Sequence, residues 1–300
     1  MNYPTPSEIC AIITTFRPDR ELYKRVERIR EQLGLVVIIN DGEYNKNVKE
    51  LNTWFDKTNN VLLHHNIANV GIAASLNIGV SIAKSNNYQW ILTLDDDSLV
   101  MPNIIERLIF GLSNIKTDKP IGLIGMSWTE TNVIKKEIPR NDNLEYSEKR
   151  GIITSGSLFS LETYNIVGPF REEFFIDSVD YDYCLRARDK GFAVIKIDEI
   201  GFEHSLGRSK VVNLMGWKIT IENHEAFRIY YGFRNSTVLA SEYLIKDPLY
   251  SLAVLFRQIK ILFLVLMFEK NKKAKLHNML RGLQDAFKKN LGKRIEVSGS

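Results

Sequence analysis

Across the first hundred residues, short apolar runs alternate with stretches in which apolar positions recur every three or four residues. That rhythm predicts parallel strands wrapped by helices. Glu8–Thr15 (EICAIITT) reads as a buried strand. Leu22, Val26, Ile29 and Leu33 follow at helical spacing, Gly34 stops that helix, and Leu35–Asn40 (LVVIIN) forms the next strand, ending at Asp41-Gly42. A helix over Val48–Phe55, a strand over Val61–His64, a helix over GIAASLNIGVSIAK and a strand over Gln89–Leu94 continue the series, and the last runs straight into Asp95, Asp96 and Asp97.

Beyond the aspartates the rhythm loosens. Ile104–Leu112 is helical, Ile121–Met126 a strand, and Thr129–Lys149 a polar stretch that reads as a loop or lid. Ile152–Leu161 reads as a strand bearing Ser155-Gly156-Ser157. Phe174–Lys190 carries a second acidic cluster opening a helix, and Ala193–Ile197 and Ile200–His204 are strand candidates. Helices dominate from about Asn213. Without a Gly/Ser linker or an internal repeat, the expected organisation is one α/β domain over 1–212 and a helical extension over 213–300.

Composition narrows the class. With 44% hydrophobic and 25% charged residues, the chain is globular rather than disordered or collagenous. Cys10 and Cys184 lack CxxC spacing, which argues against a disulfide framework or a cysteine zinc site and for a reducing compartment. The start MNYPTPSEIC has neither a basic n-region nor an apolar h-region, so a cytoplasmic location is expected. The net charge of +4 is uneven: from Lys246 onward 12 Lys/Arg face 4 Asp/Glu, a surplus of +8, which leaves −4 for the first 245 residues. Leu249–Phe268 has the length of a membrane span, but Arg257, Gln258 and Lys260 lie at its middle, where a cation costs about 2.5–3.5 kcal/mol. A helix lying on a membrane surface fits better. Leu252, Leu255, Phe256, Ile259, Leu262, Phe263 and Leu266 form its stripe, and Lys270–Lys275 supply cations for anionic headgroups. The same stripe also suits packing on the domain or in a homodimer.

Two acidic clusters are candidates for chemistry. Asp95, Asp96 and Asp97 lie at the C-terminal edge of the sheet, where open α/β folds bind ligands. Three adjacent like charges need a counter-charge, and carboxylates suit Mg2+ or Mn2+. In an extended segment Asp95 and Asp97 face one way and Asp96 another. A solvated acidic turn capping the next helix is the plainer alternative. In FIDSVDYDYCLRARDKG, Asp177, Asp180 and Asp182 precede Arg186 and Arg188, as helix-dipole matching alone would arrange them. Their apolar neighbours also suit a partly dry carboxylate acting as general base.

In this order the motifs AIITTFRPD, IINDG, NVGIAASLNIG, LTLDDDS, SGSLFS, FFIDSVDYDYCLRARDKGF, EHSLG and YYGFRN resemble the inverting glycosyltransferases of family 2. Those enzymes have the GT-A fold, a Rossmann-like, mostly parallel sheet flanked by helices, and the likeness is to the bacterial rhamnosyltransferase-like group over about residues 8–240. The resemblance implies a nucleotide-sugar part over about 1–100 and an acceptor part over about 101–212. It places Thr14, Thr15 and Asp41 at the nucleoside base, with Asn69, Gly71 and Asn77 in the segment closing over the nucleotide. It makes Asp97 the first ligand of Mn2+ or Mg2+, with Asp95 and Asp96 contributing through metal, ribose or water. Gly156 and Ser157 then line the donor and acceptor pocket, and Asp180 is the catalytic base, with Asp177 a lesser candidate because Val179 replaces the usual Glu. His204 alone reads as a structural residue, but the resemblance makes it a ligand of metal or diphosphate. Just beyond, Arg208 and Lys210 suit a basic flap closing over the diphosphate, and a solvated loop explains them equally well. The implied donor is dTDP-L-rhamnose, with UDP-sugars such as UDP-galactofuranose as competitors. The implied acceptor is a polysaccharide or lipid-linked saccharide handled at the inner face of the plasma membrane. The alternative from another class is a non-catalytic nucleotide or nucleic-acid binder. Its basic charge would be confined to the tail, where aliphatic rather than stacking aromatic residues alternate with Lys/Arg, so nucleic acid is not an expected partner.

Overall fold

The computed structural model describes residues 3–130, 144–204, 210–214, 217–221 and 223–294. Its elements in chain order are β1 (Ile9–Thr15), α1 (Leu22–Arg30), β2 (Leu35–Asn40), α2 (Lys46–Phe55), β3 (Val61–His65), α3 (Ile72–Ser85), β4 (Trp90–Asp95), β5 (Leu99–Val100), α4 (Ile104–Asn114), β6 (Ile121–Glu130) and β7 (Tyr146–Glu148). They continue with β8 (Ser157–Ser160), α5 (Leu161–Val167), α6 (Val179–Asp189), β9 (Ala193–His204), β10 (Lys210–Leu214), β11 (Trp217–Ile221), α7 (Ala226–Glu242), α8 (Pro248–Phe268) and α9 (Lys272–Phe287).

The chain divides into two compact units. The first comprises Met1–Arg171 and Asp180–Ser205, the second Glu172–Val179 and Leu206–Ser300. The short excursion over 172–179 belongs to the second unit and was not anticipated from the sequence.

The first unit is a mixed sheet ordered β3-β2-β1-β4-β8-β6-β9-β5, with β7 on β9. The four strands from β3 to β4 pair in parallel, as βα repeats dictate, and β6 and β9 are also parallel; β8, β7 and the two-residue β5 join antiparallel. β1 and β2 are almost wholly buried because helices cover both faces, so they read as continuous apolar runs rather than alternating ones. Leu22, Val26 and Ile29 of α1 meet Ile9, Ala11, Val36 and Ile38 in one core. Asn45 caps α2 by accepting a hydrogen bond from Val48 N at 3.2 Å. Three expectations are corrected downstream. Ile152–Leu161 is a strand only over Ser157–Ser160, since Ser160 caps α5 by accepting from Thr163 N at 3.0 Å. The two strands over 193–204 are one, irregular in register where it passes Ser127. The polar stretch Thr129–Lys149 ends in β7, while 131–143 lie outside the described residues.

The second unit begins its C-terminal part with the β10–β11 hairpin, not with helix, and then packs three helices. Ile229 and Phe233 of α7, Val265 of α8 and Met279 of α9 form its core. Gln258 of α8 donates to Thr237 Oγ1 at 2.9 Å and Ser236 Oγ at 3.0 Å on α7. That contact gives the polar residue in the middle of an apolar helix a protein partner. A buried Lys275–Glu269 pair at 2.5 Å, with Asn223 at 2.9 Å from the ammonium, ties the α8–α9 turn.

Candidate active site

Parallel register brings the ends of β2, β1 and β4 level, with Thr15 beside Asn40 and Thr14 beside Asp95. Asp41 follows β2 directly and is buried. Its Oδ1 accepts from Asn66 Nδ2 and Val70 N, both at 2.8 Å, and its Oδ2 from Gly71 N at 2.7 Å. Gly71 has φ of 90°, a region closed to most L-residues, and opens α3. Asn69 Oδ1 accepts from the same Gly71 N–H at 3.2 Å. Asp41, Asn69 and Gly71 thus form one strapped loop, and the bonds among described residues leave one acceptor position on Asp41 Oδ2 for an external N–H. Asn77 Oδ1 accepts from Phe170 N at 2.8 Å and Tyr164 OH at 2.9 Å, and its Nδ2 donates to Phe170 O at 2.9 Å. These bonds of the amide brace residues 164–170.

The three aspartates diverge. Asp96 Oδ2 accepts from Thr15 Oγ1 at 2.5 Å, so it turns toward β1. Asp95 and Asp97 turn to His204, and one ligand atom from each of the three lies within 4.8 Å of the other two. The short strand β5 explains how residues so far apart in sequence meet. Ser98 N closes a tight turn onto Asp95 O at 3.2 Å, and β5 then pairs antiparallel with the end of β9. His204 is therefore delivered to the turn that carries the carboxylates. Two buried serines join the parts: Asp95 N donates to Ser155 Oγ at 3.1 Å, the two hydroxyls of Ser155 and Ser98 are 2.8 Å apart, and Ser98 Oγ lies 3.1 Å from His204 Nδ1. Trp128 meets the imidazole edge-on, with ring centres 5.5 Å apart. Sequence reasoning gave Ser98 only a capping role and gave Trp128 none; single side chains without a repeat carry no readable signal.

These residues fit a divalent cation. Asp97 Oδ1 is a buried oxygen without a hydrogen-bond partner, although His204 Nδ1 stands 3.1 Å away, off line. Burial, relieved in part by His204 and reinforced by Asp97, Asp96 and Asp180, pushes Asp95 up to about 7. Burial lifts Asp96 as well, against the pull of the Thr15 hydroxyl. For His204, burial alone would lower the value, but contact with Asp97 and the charges of Asp95 and Asp96 outweigh it and hold it above the ordinary value. All three raised groups hold extra protons in the metal-free fold. That fold therefore loses stability as pH climbs from the carboxylate range to about 7 for Asp95, and again through the raised value of His204. A cation replaces those protons, so its effect grows with pH.

Gly156 has φ of 74°, and a Cβ there would lie 2.4 Å from the Phe202 ring, so backbone and space both require glycine. Ser157, expected to line the pocket, is buried and its hydroxyl donates to Ile153 O at 2.6 Å. Its role is to hold the turn.

The second acidic cluster separates by environment. Asp182 is buried and paired with Arg186 at 2.8 Å and Arg171 at 3.6 Å, so its charge is already committed. Asp177 pairs with Arg228 at 2.9 Å. Asp180 stands in the first turn of α6, only partly buried, where its Oδ1 accepts from Tyr181 N at 2.8 Å, and its charge is among those that lift Asp95. Arg208 lies outside the described residues.

Residues 10–166 match the model of the family described as Glycosyl transferase family 2. The chain is 30% identical over 248 residues to the dTDP-rhamnosyl transferase RfbF of Shigella flexneri, over 78% of this chain and 80% of that one. Among solved structures it resembles GalNAc-T7 with UDP, GalNAc and Mn2+, with a TM-score of 0.54 and 15% identity, over 70% of this chain and 44% of that one. The chain thus spans less than half of that structure, and the likeness is one of fold: the mixed sheet with flanking helices is the GT-A arrangement.

Proposed function

Since the chain belongs to glycosyl transferase family 2 and is a rhamnosyltransferase-like glycosyltransferase, we propose that it transfers L-rhamnose from dTDP-L-rhamnose, with inversion, to a hydroxyl of a cell-surface polysaccharide or lipid-linked saccharide. The observation that carries this reading is the convergence of Asp95, Asp97 and His204 at the sheet edge next to the free acceptor position of Asp41. Asp41 Oδ2 accepts the ring N–H of a pyrimidine, thymine or uracil, a donor that cytosine and adenine lack on that edge. Asp95, Asp97 and His204 would hold Mn2+ or Mg2+, which when bound supplies several kcal/mol of stabilisation to charge growing on the departing diphosphate. The acceptor oxygen attacks the anomeric carbon from the face opposite the leaving group. The anomeric C–O bond breaks with its electron pair going to the nucleoside diphosphate, and the proton of the acceptor hydroxyl passes to Asp180. The donor preference is supported by the name of the Shigella relative; UDP-sugars are the competing donors.

A thermal-shift panel tests the reading. dTDP and UDP are expected to raise the Tm and GDP to leave it near its starting value; Mn2+ should add to the pyrimidine effect, more at pH 8 than at pH 6, because Asp95, raised to about 7, gives up its extra proton over that range. Equal shifts with all three nucleotides, or none, would remove the pyrimidine reading.

The same proposal places the protein at the inner face of the plasma membrane. One helix among the described residues, α8, is long and apolar enough to cross a membrane. Its seven predicted stripe residues are all exposed, between 38% for Leu262 and 62% for Phe256, so they do not pack on the protein itself. The opposite face, with Tyr250, Val254, Leu264 and Val265, is buried. That one-sided burial, the exposed Arg257 and Lys260 alongside, and the absence of Asp or Glu within α8 favour anionic headgroups over a second copy bearing the same cations. Flotation with phosphatidylglycerol vesicles should retain the protein at low salt. Phe256→Glu with Phe263→Glu should release it, and failure of the unsubstituted protein to float would end the membrane proposal.

A further inference from the structure

The approach to α6 is built on an uncommon backbone. Phe175, Asp177 and Ser178 hold φ of 63°, 64° and 63°, the left-handed region that residues with a Cβ avoid. Such a run persists only where its surroundings over-determine it. Here the determinants are two adjacent side chains of α7, both fully buried. Asn235 Nδ2 donates to Phe174 O at 2.9 Å, Ile176 O at 2.8 Å and Asp177 O at 2.9 Å. Arg234 donates to Glu173 O at 3.1 Å, Phe174 O at 3.2 Å and Gly292 O at 2.7 Å. Its Nε also donates to Asn235 Oδ1 at 2.9 Å, which fixes the amide with its nitrogen toward the segment. Carbonyls from residues 174, 176 and 177 reach one nitrogen because the left-handed residues turn successive peptide planes to the same side. All of these groups belong to the second compact unit, which the chain leaves after Val179, and the next residue is Asp180.

We propose that Arg234 and Asn235 are positioning residues for the transfer: by holding the backbone of 173–178 they set where α6 begins, and with it the direction of the Asp180 carboxylate. The inference rests on the reading of Asp180 as the base. Asp180 is the second residue of α6, so loss of the first turn takes it out of helical dihedrals and re-aims its Cα–Cβ bond. That displacement takes a base out of hydrogen-bond reach of its proton. The expected loss is therefore in kcat and not in affinity for the nucleotide.

Two substitutions attack the clamp from opposite sides. Asn235→Asp keeps size but sets a carboxylate against three carbonyl oxygens. Ser178→Val leaves α7 untouched but puts a β-branched side chain at φ of 63°. Turnover is read as hydrolysis of whichever of dTDP-L-rhamnose or UDP-galactofuranose the unsubstituted protein consumes, with water standing in for the acceptor hydroxyl. Affinity is read as the Kd of dTDP and UDP with Mn2+. Both variants should lose about 100-fold in kcat, the scale of an ångström-sized misplacement, with Kd unchanged. Ser178→Gly, which accepts positive φ, should stay close to the unsubstituted rate. Undiminished kcat in folded Ser178→Val, or a Kd that rises in step with the loss, overturns the inference. Should Asn235→Asp fail to fold, Ser178→Val decides alone. No hydrolysis by the unsubstituted protein overturns the functional reading itself, and the inference falls with it.

Discussion

Asp180→Asn is expected to lower kcat by about 10²- to 10⁴-fold, the contribution typical of a positioned base, while the Kd of dTDP with Mn2+ stays within experimental scatter. The amide fills the same space and keeps an oxygen for Tyr181 N, which now holds Asp180 Oδ1 at 2.8 Å, so the turn is preserved and only proton acceptance is lost. Asp182→Asn is the contrast. It removes charge from a buried side chain gripped by Arg186 and Arg171, and its penalty, about 1–3 kcal/mol for buried groups left without their partner, falls on stability. Rapid-quench rates and thermal midpoints on the two variants separate the roles. A fully active Asp180→Asn removes that residue from the mechanism.

Asp97→Asn is expected to weaken Mn2+ affinity by at least about 100-fold, beyond the 10- to 100-fold typical of groups that only support a ligand. The buried Oδ1 without a hydrogen-bond partner is the atom whose charge is lost. The Mn2+-dependent part of dTDP binding should vanish with it, leaving the metal-independent part. Asp96→Asn supplies the internal control, because that carboxylate is turned to the Thr15 hydroxyl; calorimetry should find its Mn2+ affinity close to that of the unsubstituted protein. Equal losses in the two variants would mean that bulk acidity, and not the Asp95–Asp97–His204 geometry, attracts the ion.

The first half of the fold was legible because its strands are buried on both faces: EICAIITT and LVVIIN announce themselves as unbroken apolar runs, and the ends of LVVIIN and QWILTL locate Asp41 and Asp95. Asp96 does part from Asp95 and Asp97, but through a tight turn closed by Ser98 N on Asp95 O and not through extended alternation. Beyond Asp97 the determinants become tertiary. β5 has two residues and exists only because β9 pairs with it, so nothing local marks it, and the route by which His204 reaches the carboxylates was hidden. The segment Phe174–Lys190 was read as an acidic cluster opening a helix, which starts at Val179; Phe175, Asp177 and Ser178 before it are held left-handed by side chains some sixty residues away in α7, which no helical periodicity reveals. For His204 the residues alone pointed to a structural role; only the family resemblance suggested a ligand. The bonds of Ser157 and Asn77 to neighbouring backbone were equally hidden, because composition does not say which way a hydroxyl or amide is aimed.

The distance along the chain between Phe174 and Asn235, 61 residues, has a consequence for biosynthesis. At about 5–20 residues per second on the ribosome, the segment before Asp180 waits several seconds or longer for the side chains that bend it. A nascent chain halted before α7 therefore has the parallel strands of the first unit but lacks the two side chains that bend the segment before Asp180.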